Sequence, residues 1–247
     1  MVRTLGVERE QFILRNGRIV PAIDELLPKL YQFCEAKGLP TANFGYELFA
    51  GQIEDRTSIE KSVSGVIRAL QRNEEILAEV GAGLGLQFWP TDYATEEELG
   101  DLVVNGFSER HQQIWEAIPY ERKVAASQVA AIHVHVSASA EEAVRVLNYC
   151  REDVIDRLGA ISNESRGKRL AAYRAMAETY GIPPEFASTL ELASYIEERG
   201  GERNVWDLIR YKPTTGTVEF RMFGTTASKR VIRQCVEEAQ RLMETIL

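Results

Sequence analysis

The sequence predicts an α+β fold built on a mainly antiparallel sheet, with one polar face and helices packed on the other. Three observations carry this. Strand-like and helix-like segments interleave along the 247 residues. The strand-like segments alternate polar and apolar residues instead of running uniformly apolar, as strands buried on both faces do. Asn16-Gly17 also joins the first two of them, the dipeptide of a tight antiparallel hairpin.

Residues 3–15 form the first predicted strand, and Arg18-Ile19-Val20 returns beside it. Asp24 is placed to cap a helix over "ELLPKLYQFCEAK", with Pro28 tolerable near its first turn and Gly38 as its stop. A second strand region covers 43–54. Thr57 and Glu60 make a capping-box pattern for a long helix carrying Ile59, Val63, Val66, Ile67, Leu70, Ile76 and Leu77 at helical spacing. A strand follows in "LGLQFWP", then a short helix in "SERHQQIWEAI" and a strand in "SQVAAIHVHVSA". Ser139 and Glu142 open a helix predicted to run to about Leu158. Two further helices, "GKRLAAYRAMAETY" and "LELASYIEE", precede a strand in "GTVEFRMFG" and a helix from about Ser228 to the end. With no linker, repeat or low-complexity tract, 1–247 reads as a single domain.

Composition narrows the function. Twenty-nine Lys and Arg against 37 Asp and Glu give a net charge of −8, with no basic run, which argues against nucleic acid as a partner. No stretch is apolar for long enough to span a bilayer, and "MVRTLGVERE" has no signal-peptide core. Cys34, Cys150 and Cys235 are scattered in helical segments and read as reduced core thiols, so the expected location is cytoplasmic. Gly81, Gly83 and Gly85 in "VGAGLGLQ" follow a helix and precede a strand. That order is opposite to a dinucleotide-binding loop, so they read as a helix stop.

Three strands each carry two polar residues spaced to share a face: Glu8 and Glu10, His133 and His135, Glu219 and Arg221. Val134 and Val136, then Val218, Phe220 and Met222, make the opposite face apolar. Around the first pair it is mixed, with Arg9 and Gln11 beside Val7. Each pair alone is consistent with a half-solvated sheet. Together, on one sheet, they gather carboxylate, imidazole and guanidinium on one surface. Glu47 and Glu54 in "ELFAGQIEDRTS" face opposite ways on a regular strand; either the Ala50-Gly51 step brings them to one side, or one of them is merely exposed. Clustered carboxylates repel one another unless cations neutralise them, and hard divalent ions such as Mg²⁺ or Mn²⁺, which often accompany nucleotide phosphates, are the natural partners. Arg166, Lys168, Arg169, Arg174, Arg210 and Lys212 supply positive charge in the second half.

These segments line up with a family. "GVEREQFIL", "ELFAGQIEDRTS", "AIHVHVS", "AAYRAM", "IRYKP" and "GTVEFRMF", in that order from residue 6 to about residue 224, resemble the glutamate–cysteine ligase family, especially its bacterial carboxylate–amine ligase branch. The resemblance implies a glutamine-synthetase-like domain with a funnel-shaped site on a curved sheet. It further implies ATP and Mg²⁺ as cofactors and amide formation between a small carboxylate and a small amine through an acyl phosphate. By motif position Glu8, Glu10, Glu47, Glu54, His133 and Glu219 are the implied metal ligands. Glu219 and Arg221 are the implied catalytic pair, Arg221 steadying the transferred phosphoryl group. Arg174, Arg210 and Lys212 are the implied cofactor-binding cations. His135 fits the pattern without an implied role. Ala50 stands where the family carries an acidic residue, and the chain is shorter than typical relatives, which makes a second copy of the chain a candidate partner. A metal-dependent hydrolase using the same Glu and His set, or a degenerate nucleotide-binding homologue, are the alternative readings.

Overall fold

Every strand pairing in the computed structural model of the chain, which describes residues 3–246, is antiparallel, and its eight strands join in one open sheet. In chain order the elements are β1 (Leu5–Arg15), β2 (Arg18–Ile19), α1 (Ile23–Lys37), β3 (Phe44–Tyr46), β4 (Gln52–Arg56), α2 (Val63–Leu84) and β5 (Gln87–Trp89). They continue with α3 (Glu109–Ala117), α4 (Tyr120–Gln128), β6 (Ala131–Ser137), α5 (Ala140–Tyr149), α6 (Glu152–Gly159), α7 (Lys168–Ala177), α8 (Thr189–Glu198), β7 (Ile209–Lys212), β8 (Thr217–Gly224) and α9 (Lys229–Ile246). The spatial order is β3-β4-β1-β6-β8-β7, with β2 and β5 also paired to β1. The expected α+β architecture is therefore present.

β1 sits in the middle because it is long enough, at 11 residues, to pair with four partners. Asn16 and Gly17 both take positive φ, 53° and 75°, the backbone of a two-residue hairpin whose twist matches the strands. Strand alternation then sorts the side chains. Val7, Ile53, Ile132, Val134, Val136, Val218 and Phe220 are fully buried on the back of the sheet, where α2 lies across β1 and β4 and α9 across β6. The mixed back of β1 is explained there. Arg9 is fully buried and bonds Asp55 on β4 at 2.9 and 3.2 Å and Glu74 on α2 at 2.5 Å, while Gln11 and Asn73 donate to the same Asp55 carboxylate. Each buried charge has its partner, as burial demands.

Several local expectations are corrected. The 43–54 region is two strands, β3 and β4, separated by a turn at Ala50-Gly51. β7 is a strand the sequence reading passed over, and α4 a helix it missed. Asp24 caps no helix; its carboxylate accepts from the Gly106 N–H. Thr57 and Glu60 lie before α2, Thr57 accepting from the Val7 N–H and Glu60 bridging to Leu5, and Ser62 is the cap. Ile59 is consequently outside the helix and exposed. The Ser139–Glu142 capping box forms as expected, but its helix breaks at Cys150-Arg151 into α5 and α6. The apolar spacing continues through that break and so conceals it. Gly85 ends α2 in the left-handed conformation, as the helix-stop reading requires. Cys34, Cys150 and Cys235 are buried and unpaired. No helix among the described residues is long and apolar enough to cross a membrane.

The polar face is not bare. α3, α4, α7 and the segment before β7 stand over it and wall a cavity of about 600 Å³.

Candidate active site

Register explains why the site residues meet. Glu8 lies opposite His133 across β1 and β6, Glu10 opposite Glu54 across β1 and β4, His135 opposite Glu219 across β6 and β8, and Arg210 opposite Glu219 across β7 and β8. Directly opposed residues bring their Cβ atoms to about 5 Å, so five neighbouring strands put one continuous row of ionisable groups on or just beneath the cavity floor. Glu47 is outside any strand. The Ala50-Gly51 turn reverses the chain between β3 and β4 and returns Glu47 to the same side as Glu54. Asn105, fully buried, anchors that loop by donating to the Glu47 carbonyl at 2.7 Å, while its own N–H reaches Leu48 O.

Glu8 Oε2, in the cavity, is 3.3 Å from His133 Nδ1 and 3.5 Å from His135 Nε2; His133 lines the cavity, and His135 and Glu219 lie behind its lining. His133 Nε2 is 3.5 Å from Glu10 Oε1, and its Nδ1 is 3.6 Å from Glu219 Oε1. Glu10 also accepts from the Ala131 N–H at 2.7 Å. Glu219 has no exposed surface and is gripped by two arginines. Arg210 donates through Nε at 2.6 Å and Nη2 at 3.1 Å, and Arg221 through Nη1 at 2.6 Å. Arg221 Nε further donates to the Tyr173 hydroxyl at 3.4 Å. Arg56 pairs with Glu54, and Gly45 makes room for it: a Cβ there would sit 2.4 Å from the Arg56 guanidinium.

The row splits electrostatically. Burial and the neighbouring Glu54 push the Glu10 carboxyl up to about 8. Burial and Glu10 push Glu47 up to about 7. Burial, with Glu8 and Glu47, raises Glu54 well above the usual carboxylate range. At the other end Arg210 and Arg221 overcome burial and hold Glu219 well below that range, and His135 and His133 do the same for Glu8. Burial and Arg221 lower His133 to about 4, so it is a neutral imidazole with a lone pair to offer.

Among the described residues three sets each have candidate ligand atoms within 4.8 Å of one another: Glu8, Glu54 and His133; Glu8, His135 and Glu219; Glu10, Glu47 and Glu54. Hard carboxylate oxygens, with one imidazole in each of the first two sets and none in the third, suit a hard or borderline divalent cation. In the upward-shifted trio of Glu10, Glu47 and Glu54, burial and mutual repulsion outweigh the nearby Arg56, Arg169 and Arg221.

Arg210, Lys212 and Arg221 line the cavity with these groups. Arg174 does not. It leaves α7 on the outer side, donates from Nε to Tyr180 O at 3.1 Å and lies 3.5 Å from Asp156. The helical register explains this: Arg169, Tyr173 and Met176 are three and four residues apart and face the cavity, and Arg174 is a step off that stripe. Arg169 is the arginine of α7 that reaches inside. Its guanidinium donates to the carbonyls of Ala130, Met222 and Arg221 at 3.0–3.1 Å, where the β6–β8 register shifts between Ile132 and Val134. It appeared in the sequence only as one of six scattered cations. Asn105 and His111, bonded to each other at 2.7 Å, carried no sequence signal at all.

No protein-family model matches the chain, and no curated protein matches it. Among solved structures, a bifunctional glutathione synthetase from Pasteurella multocida superposes over 98% of this chain with a TM-score of 0.51 and 15% identity. The chain shares a fold with part of that protein. It spans 38% of that protein's length. A novel glutamine synthase homolog aligns over 99% of this chain and 55% of its own, with a TM-score of 0.45 and 13% identity.

Proposed function

We propose that the chain is an ATP- and Mg²⁺-dependent carboxylate–amine ligase of the glutamate–cysteine ligase kind, joining an acid to an amine as an amide through an acyl phosphate. One observation carries the reading: carboxylates from β1, β4 and the loop before it, with an imidazole from β6, line one cavity together with arginines and a lysine, and Glu219 sits buried behind two of those arginines. Such a mixture suits a polyanion that arrives with its own divalent ions.

In this reading Glu8, Glu10, Glu47, Glu54, His133 and Glu219 hold Mg²⁺ or Mn²⁺, and Arg210, Lys212 and Arg221 face the anionic groups. Bound magnesium supplies neutralisation of the phosphates, so that a carboxylate can approach. The chain's own residues do the remainder. Glu219 and Tyr173 fix the Arg221 fork in place before substrate arrives, so its free N–H groups meet the transferred phosphoryl oxygens without reorganisation. The walls from α3, α4 and α7 restrict water, which protects an acyl phosphate from hydrolysis. One cavity for both substrates converts amine attack into a local event.

The test is to mix the purified chain with ATP, Mg²⁺ and pooled small acids and amines and follow ADP. The reading expects ADP release that needs both an acid and an amine. Cleavage of pooled small amides in a parallel mixture without nucleotide indicates a metal-dependent hydrolase, and nucleotide binding without turnover indicates a degenerate homologue; either result contradicts the ligase.

A further inference from the structure

A second cleft lies between the start of α6, α8 and residues 179–184, with Asp207 in its wall. It measures about 570 Å³, a size that holds a small molecule, and shares no lining residue with the central cavity. Its charges are unpaired. Arg151, Glu152, Arg199 and Asp207 all line it, yet among the described residues none of the four lies within 4.0 Å of an opposite charge. Asp207 is 5% exposed. Its Oδ2 accepts from the Tyr195 hydroxyl at 2.5 Å, and Oδ1 has no hydrogen bond among the described residues. Burial raises this carboxyl despite Arg199, Arg210 and Arg221, the mark of a carboxylate short of a close cation. Arg151 Nη1 is likewise buried and without a partner. Arg199 stacks on the Tyr195 ring, 3.5 Å from its centre, with N–H groups to spare. Tyr180, Ile182 and Pro183 supply apolar surface. Opposite charges that share a cleft without meeting suit a molecule that carries both, an ammonium for the carboxylate and a carboxylate for the guanidiniums.

The segment that carries Asp207 also walls the central cavity, through Trp206 and Arg210. Between them Leu208 donates its N–H to Gly181 O at 2.7 Å and accepts from the Arg221 N–H at 2.7 Å. We propose that the cleft binds a small apolar α-amino acid, its ammonium on Asp207 and its carboxylate on Arg151 and Arg199, and that occupancy steadies the backbone chain from Gly181 through Leu208 to Arg221. The site stands apart from the ligase reading, because binding here is expected whether or not the central cavity turns over.

The experiment is calorimetric titration of L-leucine into the full chain, with N-acetyl-L-leucine, which lacks the ammonium, and isoamylamine, which lacks the carboxylate, as controls. Saturable binding of L-leucine is expected, and each control is weaker by at least about tenfold, because one buried charge is left without its partner. Asp207→Asn, which keeps an acceptor for Tyr195, and Arg151→Gln are each expected to weaken L-leucine by about tenfold or more. Hydrogen exchange at the Leu208 and Arg221 amides is expected to slow on saturation. Failure of L-leucine to bind, or binding matched by either control, overturns the site. Binding unchanged in both variants places the amino acid in the central cavity and overturns it too. Exchange that does not slow at these two amides overturns the link to Arg221. Should Asp207→Asn fail to fold, the comparison of the three ligands on the wild-type chain decides the matter with Arg151→Gln.

Discussion

Glu10 and Glu54 face each other directly across β1 and β4, two buried carboxylates in a cross-strand pair, with Glu47 as a third beside them. Like charges so placed oppose folding unless they bind protons or cations. The folded chain without metal therefore binds more protons here than the unfolded chain does. With Glu10 near about 8 and Glu47 near about 7, against about 4.3 when unfolded, stability falls as pH rises through that window. His133, held near about 4, acts in the opposite sense, but only below about pH 6.5. The expected outcome in EDTA is a melting temperature lower at pH 8 than at pH 6.5 by on the order of a few degrees. Millimolar Mg²⁺ restores it, most at pH 8, and Glu54→Gln flattens the slope. A melting temperature that rises between these pH values in EDTA contradicts the description of the trio.

Glu8 and Glu219 are both expected to be needed for turnover, yet they differ in what else they hold. Glu8→Gln removes the carboxylate that His135 and His133 hold well below the usual range and is expected to cost some stability, about 1 kcal/mol. Glu219→Gln strips the neutralising charge from Arg210 and Arg221 in a dry setting and is expected to cost about 3 kcal/mol. Urea midpoints of the two variants measure the difference. Equal midpoints would mean that the arginines find other partners.

Arg221→Lys is expected to fold but to lose turnover by about 10²-fold or more. An ammonium is a single point of charge and cannot bond Glu219, Tyr173 and a phosphoryl oxygen together. Steady-state kcat is the readout, and near-wild-type kcat removes Arg221 from the mechanism.

The two α7 arginines are expected to separate sharply. Arg174→Ala should leave kcat within about twofold, because the side chain is half-buried outside the cavity and touches none of its lining groups. Arg169→Ala takes a donor from three carbonyls, of which Ala130 keeps the Thr225 N–H, and is expected to lose about 2–3 kcal/mol of stability as well as turnover. Comparable effects from both substitutions would contradict the helix register described for α7.

These contrasts mark how far the sequence could be read. Period-two alternation made the face of each pair legible, so Glu8 with Glu10, His133 with His135 and Glu219 with Arg221 were placed correctly relative to their strands. The hairpin at Asn16-Gly17 and the Ser139–Glu142 cap were legible because their chemistry is local. Arg174 lies off the cavity although its motif position suggested otherwise, because motif position does not reveal which side of a ten-residue helix faces the cavity. Arg169 and Asn105 owe their importance to carbonyls 39 to 58 residues away, which no local pattern encodes. Thr57 and Glu60 satisfied a capping pattern, but strand pairing to Val7 and Leu5 took both. Arg9 and Gln11 blurred the alternation of β1 because Asp55 and Glu74 make a charged back face affordable.

The central claim is that acidic side chains distant in sequence converge to hold divalent ions that carry a triphosphate. Its most direct test is calorimetric titration of Mn²⁺ into the full chain with a non-hydrolysable ATP analogue, in wild type, Glu8→Gln and Glu54→Gln. The account predicts saturable Mn²⁺ binding, tightened by the nucleotide in wild type and weakened at least tenfold in both variants. Nucleotide binding that is indifferent to Mn²⁺, or Mn²⁺ binding unchanged by both substitutions, would contradict it.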